Sequence, residues 1–256
     1  MQTTEEVIAI TDPGEVNRAE QNKGDRFIVF VGNIGAWLFP ALMVAICAQV
    51  VLRNSGLNQA WLDDLQWWIY GAAVLIGVAY AVTTDSHVRV DVLYDNYPRE
   101  KQTRITLFAI GWLFLPFIIL AWDVTVSYAI TSVVADEGSS SPNGLHNLFL
   151  LKTMLPILFI TAAIGAWSVM YRNLKKIAEP TLVRQLLWAF PATLMLMERI
   201  VHYAAYWVIR FASPDIPWRR VSREPFFDYT TFVSLALIAL VIAIAWLIGN
   251  KQKAGR

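Results

Sequence analysis

One cysteine and three histidines are all that 256 residues offer to disulfide, haem or zinc chemistry. Cys47 has no second thiol to pair with and reads as a small buried hydrophobe. His87, His146 and His202 stand far apart in the chain, and the first two fall at opposite ends of apolar runs. A b-type haem needs paired imidazoles at similar depth, and zinc needs closely spaced ligands, so neither is expected. The phosphate-cradling pattern GxxxxGK[ST] is missing, which argues against ATP hydrolysis by this chain, and so is the nucleophile elbow GxSxG. A net charge of +1 leaves no basic surface of the kind that holds nucleic acid. No internal repeat or low-complexity tract is present. No catalytic residue, cofactor or metal is expected.

What is abundant is oil. Apolar residues make up 56% of the chain and charged ones 16%, against about a quarter in soluble domains. They fall in runs near the ~20 residues that a helix needs to cross a bilayer. The spans are predicted at 27–52, 65–82, 105–130, 149–171 and 229–249, each closed by charges, Pro, Gly or interfacial Trp and Tyr. Helix is the default because hydrocarbon offers the backbone no partners, and the alternation of a barrel is missing. Residues 1–25 are polar, carry Glu5, Glu6, Asp12, Glu15 and Glu20, and lack the plan of a secretory signal; they read as a flexible, retained tail.

Orientation follows from the basic residues. Arg18, Lys23 and Arg26 precede the first run; Arg89, Arg99, Lys101 and Arg104 lie before the third; Arg172, Lys175, Lys176 and Arg184 follow the fourth. The other two connections hold only Arg53 and, just past the second, Lys152. The N-terminus is therefore expected in the cytoplasm. Region 182–211 is ambiguous, because Glu198, Arg199 and His202 interrupt it and Pro191 loosens it, so it either spans or lies bent at the interface. Arg219, Arg220 and Arg223 before the last span compete with Lys251, Lys253 and Arg256 after it for the same side. Six spans with a cytoplasmic C-terminus is the preferred arrangement.

Several side chains invite a role beyond packing. Asp63 and Asp64 open the second span and suit either helix capping or a polar contact with a partner helix. Asp123 lies within the third span, where a central carboxylate costs roughly 2.5–3.5 kcal/mol. It reads as a contact with a neighbouring helix, with ion coupling as the sharper alternative. Trp61, Trp67, Trp68 and Tyr70 suit an interfacial belt. Glu198 and His202 share one helical face and can meet in a structural hydrogen bond or a proton sensor. The stretch from His87 through Arg89 and Asp91 to Leu93 alternates charge with valine and suits a surface-lying amphipathic segment.

Four places carry a family likeness. Trp61-Leu62-Asp63-Asp64-Leu65 is the first, and Gly77 to Val82 leading into His87-Val88-Arg89-Val90-Asp91-Val92-Leu93 is the second. Glu137 with the serine run and Pro142-Asn143-Gly144-Leu145 is the third, and Lys152 with Pro156 the fourth. In this order they resemble the small permease subunit of tripartite ATP-independent periplasmic (TRAP) transporters, the DctQ type, over 26–176. Asp85-Ser86 stands where the family has glycine before the histidine, and His146 where it has proline.

The expected fold is an all-α integral membrane protein. The resemblance implies a four-helix small-permease core (26–176), while the residues add a polar tail (1–25) and a C-terminal extension (177–256) with two further membrane segments. That extension is not part of the family's common four-helix pattern. The resemblance also implies a multi-pass protein of the bacterial inner membrane, set in lipid, with a large permease subunit and a periplasmic solute-binding protein as partners. Trp61, Asp63, Asp64, Asp123, Glu137 and Lys152 become candidates for the partner interface, and His87, Arg89 and Asp91 for the membrane surface. The implied role is to brace the large subunit during ion-coupled uptake of an organic acid-like solute. The competing expectations are a self-sufficient ion-coupled carrier or channel, motivated by Asp123 and Glu198/His202, and a redox anchor, motivated by the histidines.

Overall fold

A computed structural model describes residues 13–15, 18–87, 94–213 and 215–254. Among them every regular element is helical, and no strand occurs. The order is α1 (Lys23–Gly35), α2 (Leu38–Asn54), α3 (Ala60–Thr84), α4 (Arg99–Phe108), a π turn (Ala109–Phe114), α5 (Leu115–Val134) and α6 (Phe149–Ile177). Then follow α7 (Leu182–Trp188), α8 (Phe190–Ala212), the short α9 (Trp218–Val221) and α10 (Thr230–Ala254). Five stretches are long and apolar enough to cross a membrane: Lys23–Asn54, Ala60–Thr84, Arg99–Val134, Phe149–Ile177 and Pro225–Ile248. Helix α8 is not among them.

Proline chemistry shapes two of these rods. The first predicted span is broken at Ala36-Trp37, which the apolar run concealed. Pro40 has no N–H to return to the Ala36 carbonyl and its ring crowds that oxygen, so α1 ends and α2 restarts. Ala36 O accepts from Phe39 N–H at 3.3 Å instead. In the third rod Pro116 follows the π turn, where Leu115 N–H reaches back to Ile110 O. A wider turn accommodates the missing donor without stopping the helix.

Helix α6 is the axis of the bundle. Its Ala166, Val169, Met170 and Leu174 are buried against Leu107, Ile110, Leu115 and Ile119 from α4 to α5, and its Ala162 against Ile118. Ile28 of α1 and Ala79 of α3 close the other side. Outward faces are apolar instead of polar: Trp37 is 76% exposed, Met43 68% and Val134 82%, the reverse of a soluble helix face. Cys47 also faces outward, because α2 turns Ala45 and Gln49 inward; it is not the buried hydrophobe expected.

Two further expectations change. Asp25, assigned to the tail, is fully buried, because α1 begins within that stretch, at Lys23. Region 182–211 stands upright beside α5. Trp188 O packs on Gly111 with no space for a side chain there, and Arg199 and Tyr203 meet Asp123 twelve residues along α5. Both helices advance equally between these contacts, about 18 Å, so α8 runs in the same direction as α5. Helix α10 starts beside Glu198 and returns along α8 towards α7. Ala189 and Ala192 belong to the same buried cluster as the α4–α6 residues, so the extension shares the core.

Candidate functional site

Polar side chains inside this apolar bundle are few and tied to one another at three levels. The first is the basic end, where α1, α3 and α6 meet. Asn22 Oδ1 accepts the Asp25 N–H and Asp25 Oδ2 accepts the Asn22 N–H, each at 3.0 Å, forming a capping box. Arg172 places Nη1 2.9 Å from Asp25 Oδ2 and donates through Nη2 to Thr83 O at 3.0 Å. Asn22 Nδ2 donates to Ser168 O at 3.0 Å, and Gly24 lies so close to Ser168 that a Cβ would overlap its hydroxyl. One guanidinium therefore joins three helices around a buried carboxylate. Lys176 pairs with Glu20 at 2.9 Å, and that hydrogen bond and charge hold the Glu20 carboxyl below the ordinary carboxylate range. A polar cavity of about 970 Å³ opens alongside, lined in part by Glu20, Thr83, Arg99, Glu100, Arg172 and Lys176. Sequence reasoning missed this site, although Asn22 followed three residues later by Asp25 is a legible capping signal.

The opposite end carries five of the candidate interface residues. Asp63 accepts from Gln49 Nε2 and lies 3.7 Å from Arg53 Nη2, while Gln66 donates to Gln49. Asp64 Oδ2 accepts the Leu145 N–H at 3.0 Å, so this acid pins the connection between α5 and α6 to α3. Gly144 is required there, since a Cβ would come 2.9 Å from Asp64 Oδ2 and overlap Ser139. Glu137 and Lys152 form an ion pair, with Lys152 Nζ 4.0 Å over the Tyr128 ring. The Lys152 hydrogen bond holds the Glu137 carboxyl below its usual range. Trp61 Nε1 donates to Gln59 Oε1 at 3.0 Å, and its ring remains exposed.

The third level is interior. Asp123 Oδ1 accepts the Tyr203 hydroxyl at 2.9 Å, and Asp123 Oδ2 lies 3.4 Å from Arg199 Nη1. Asp123 thus meets a neighbouring helix, and that helix belongs to the same chain. No hydrogen bond or ion pair joins Glu198 to His202: Glu198 accepts the Thr231 hydroxyl at 2.8 Å, and the His202 ring lies tilted against Phe227 with 4.7 Å between ring centres. His87 is exposed at a bend, whereas Arg89 and Asp91 lie outside the described residues. Among the described residues no group of three or more His, Cys, Asp or Glu is placed to hold a metal ion. These three levels lock helices together, and none presents a nucleophile with its base.

Comparison with known proteins gives one family. Residues 42–176, more than half of the chain, match the family described as tripartite ATP-independent periplasmic transporters, DctQ component. Neither the curated proteins nor the solved structures contain a match. The matched region runs from α2 to the end of α6, and so includes Asp63, Asp64, Asp123, Glu137 and Lys152.

Proposed function

The chain belongs to the DctQ component family of TRAP transporters, a family of non-enzymatic, multi-pass membrane subunits, and from that premise we propose that it is the fixed brace of its transporter. The large permease subunit moves solute and coupling ion, while this chain holds that subunit's scaffold still. A periplasmic binding protein delivers the solute, of the organic-acid class. The protein sits in the bacterial inner membrane with its basic end, including Lys23, Arg172 and Lys176, in the cytoplasm, as the distribution of Lys and Arg favours.

The observation that carries the bracing role is the set of ties at three depths. Asp25–Arg172 clamps one end, Asp123–Arg199–Tyr203 the interior, and Asp64–Leu145 with Glu137–Lys152 the other end. A brace must resist bending where its partner pushes, and cross-helix polar contacts in hydrocarbon provide that resistance at low cost in surface. A carrier, by contrast, needs polar groups left available to a passing solute. Asp123, the strongest argument for autonomous transport, already has two internal partners.

Reconstitution tests the reading. Liposomes holding this chain alone are expected to show no solute uptake under a sodium gradient, and purification in mild detergent is expected to bring down the large subunit. Uptake restored only when the large subunit and binding protein are added supports the brace. Uptake by this chain alone overturns it.

A further inference from the structure

The side chain of Asn33 is out of place. It lies in α1, seven residues past the exposed Arg26 and so about 10 Å along the helix, inside a hydrocarbon layer about 30 Å thick. It faces outward and makes no hydrogen bond among the described residues. An unsatisfied carboxamide in hydrocarbon is costly, because lipid chains offer it nothing.

Around Asn33 the surface is shaped to receive something. The α1–α2 break at Ala36-Trp37 and the adjacent face of α3 enclose a groove of about 330 Å³, lined in part by Asn33, Ala36, Phe39, Ala73, Gly77 and Tyr80. Deeper in the groove α1 and α3 are pressed together, since a Cβ on Gly32 or Gly35 would overlap Tyr80 or Ile76. Gly77 is different. A Cβ there would meet nothing within 4 Å, so the glycine leaves an open trough on the outside of α3. Small residues that lower a helix surface allow another backbone to approach closely, and amides at such surfaces hydrogen-bond across.

We infer that this groove, with Asn33 at its centre and Gly77 as its floor, is the seat of a transmembrane helix from the large permease subunit, and that the helix offers a polar side chain at the depth of Asn33. The inference rests on the bracing role proposed above and names the surface through which it acts. The choice of occupant follows from chemical complementarity. An acyl chain fills apolar space but leaves the amide unsatisfied, whereas a helix bearing a hydroxyl, amide or carboxyl group satisfies both. A second groove makes the contrast. Between α5, α6 and α8 lies an apolar trough of about 410 Å³, lined by Leu115, Trp122, Phe159, Ile160, Ala163 and Leu196 among others. Its surface is almost wholly apolar, and lipid chains alone satisfy it.

The test co-expresses this chain with the large subunit and purifies through a tag on this chain. Benzoylphenylalanine replaces Phe39, exposed on the rim of the groove, or Ile160 in the second groove. Irradiation is expected to join the large subunit through position 39 and not through position 160. Asn33→Leu is expected to lower recovery of the large subunit about three- to thirty-fold, the worth of an interhelical hydrogen bond, and Gly77→Leu at least tenfold. Ile160→Trp serves as the control and leaves recovery unchanged. Both test variants should keep the elution volume and melting temperature of the isolated chain, because each adds an alkyl group to a lipid-facing surface. Full recovery with both variants, a cross-link through position 160 alone, or a cross-linked pair of this chain overturns the inference while leaving the bracing role standing. Failure of the unsubstituted chain to retain any large subunit overturns both.

Discussion

At the scale of single residues, Arg172 ties three helices together through one charge. Its guanidinium is largely buried, its partner Asp25 is wholly so, and its other nitrogen serves Thr83 O at a third helix. Removing one member of such a pair strands a charge in a low-dielectric interior, which typically costs about 3–5 kcal/mol. Arg172→Met is therefore expected to lower the melting temperature in detergent by roughly 10 °C. Adding Asp25→Leu to it should recover most of that loss, because an apolar pair of similar volume is close to neutral in the same setting. Intrinsic tryptophan fluorescence during heating reads both. An Arg172→Met melting temperature equal to the parent's would mean that Asp25 is not held as described. Nothing in the sequence announces this pair, since 147 positions separate its members and Asp25 reads as part of a charged tail.

At the scale of elements, the apolar runs located the five long rods, because length and hydropathy are local properties that a sequence displays directly. The break at Ala36-Trp37 and the π turn at Ala109–Phe114 were harder to read. Both depend on how the chain accommodates a proline, Pro40 or Pro116, and an apolar run around a proline looks continuous. Region 182–211 stayed ambiguous because Glu198, Arg199 and His202 look too polar to span until Asp123 and Thr231 are known to receive two of them. Seating this extension depends on Gly111, where the π turn gives the α7–α8 junction room to touch backbone to backbone. Gly111→Leu has nowhere to place its side chain, and overpacking of this kind costs about 1–3 kcal/mol or more. The expected result is release of α7 and α8 from the core, detected as faster proteolysis between 177 and 182. Gly71→Leu, which meets open space, should leave the digestion rate unchanged. Equal protection of the Gly111→Leu chain would show that the junction does not pack on the π turn.

At the scale of the whole molecule, the extension sets two basic clusters against each other. Arg219, Arg220 and Arg223 precede α10, and Lys251, Lys253 and Arg256 follow or close it, so a single crossing cannot put both in the cytoplasm. The packing of α8 and α10 is the basis for expecting the C-terminal cluster, and not the arginines, on the cytoplasmic side. Because α8 advances in the same direction as α5, its end at Ala212 lies with the connection carrying Glu137, and α10 then returns towards the end of Arg172 and Lys176. The contacts at Gly111 and Asp123 are expected to outweigh a preference of three arginines in a short loop, since the charge rule biases insertion without forming part of the folded core. In a Cys47→Ser background, Ser222→Cys is expected to react with a membrane-impermeant maleimide in intact spheroplasts, as is Ser55→Cys in the first connection. Ala178→Cys, between α6 and α7, should react only after lysis. Protection of Ser222→Cys until lysis, with Ser55→Cys still labelled, would place the arginines in the cytoplasm. That result would require α8 to lie apart from α5, and the Asp123–Arg199 contact would then have no place in the folded protein.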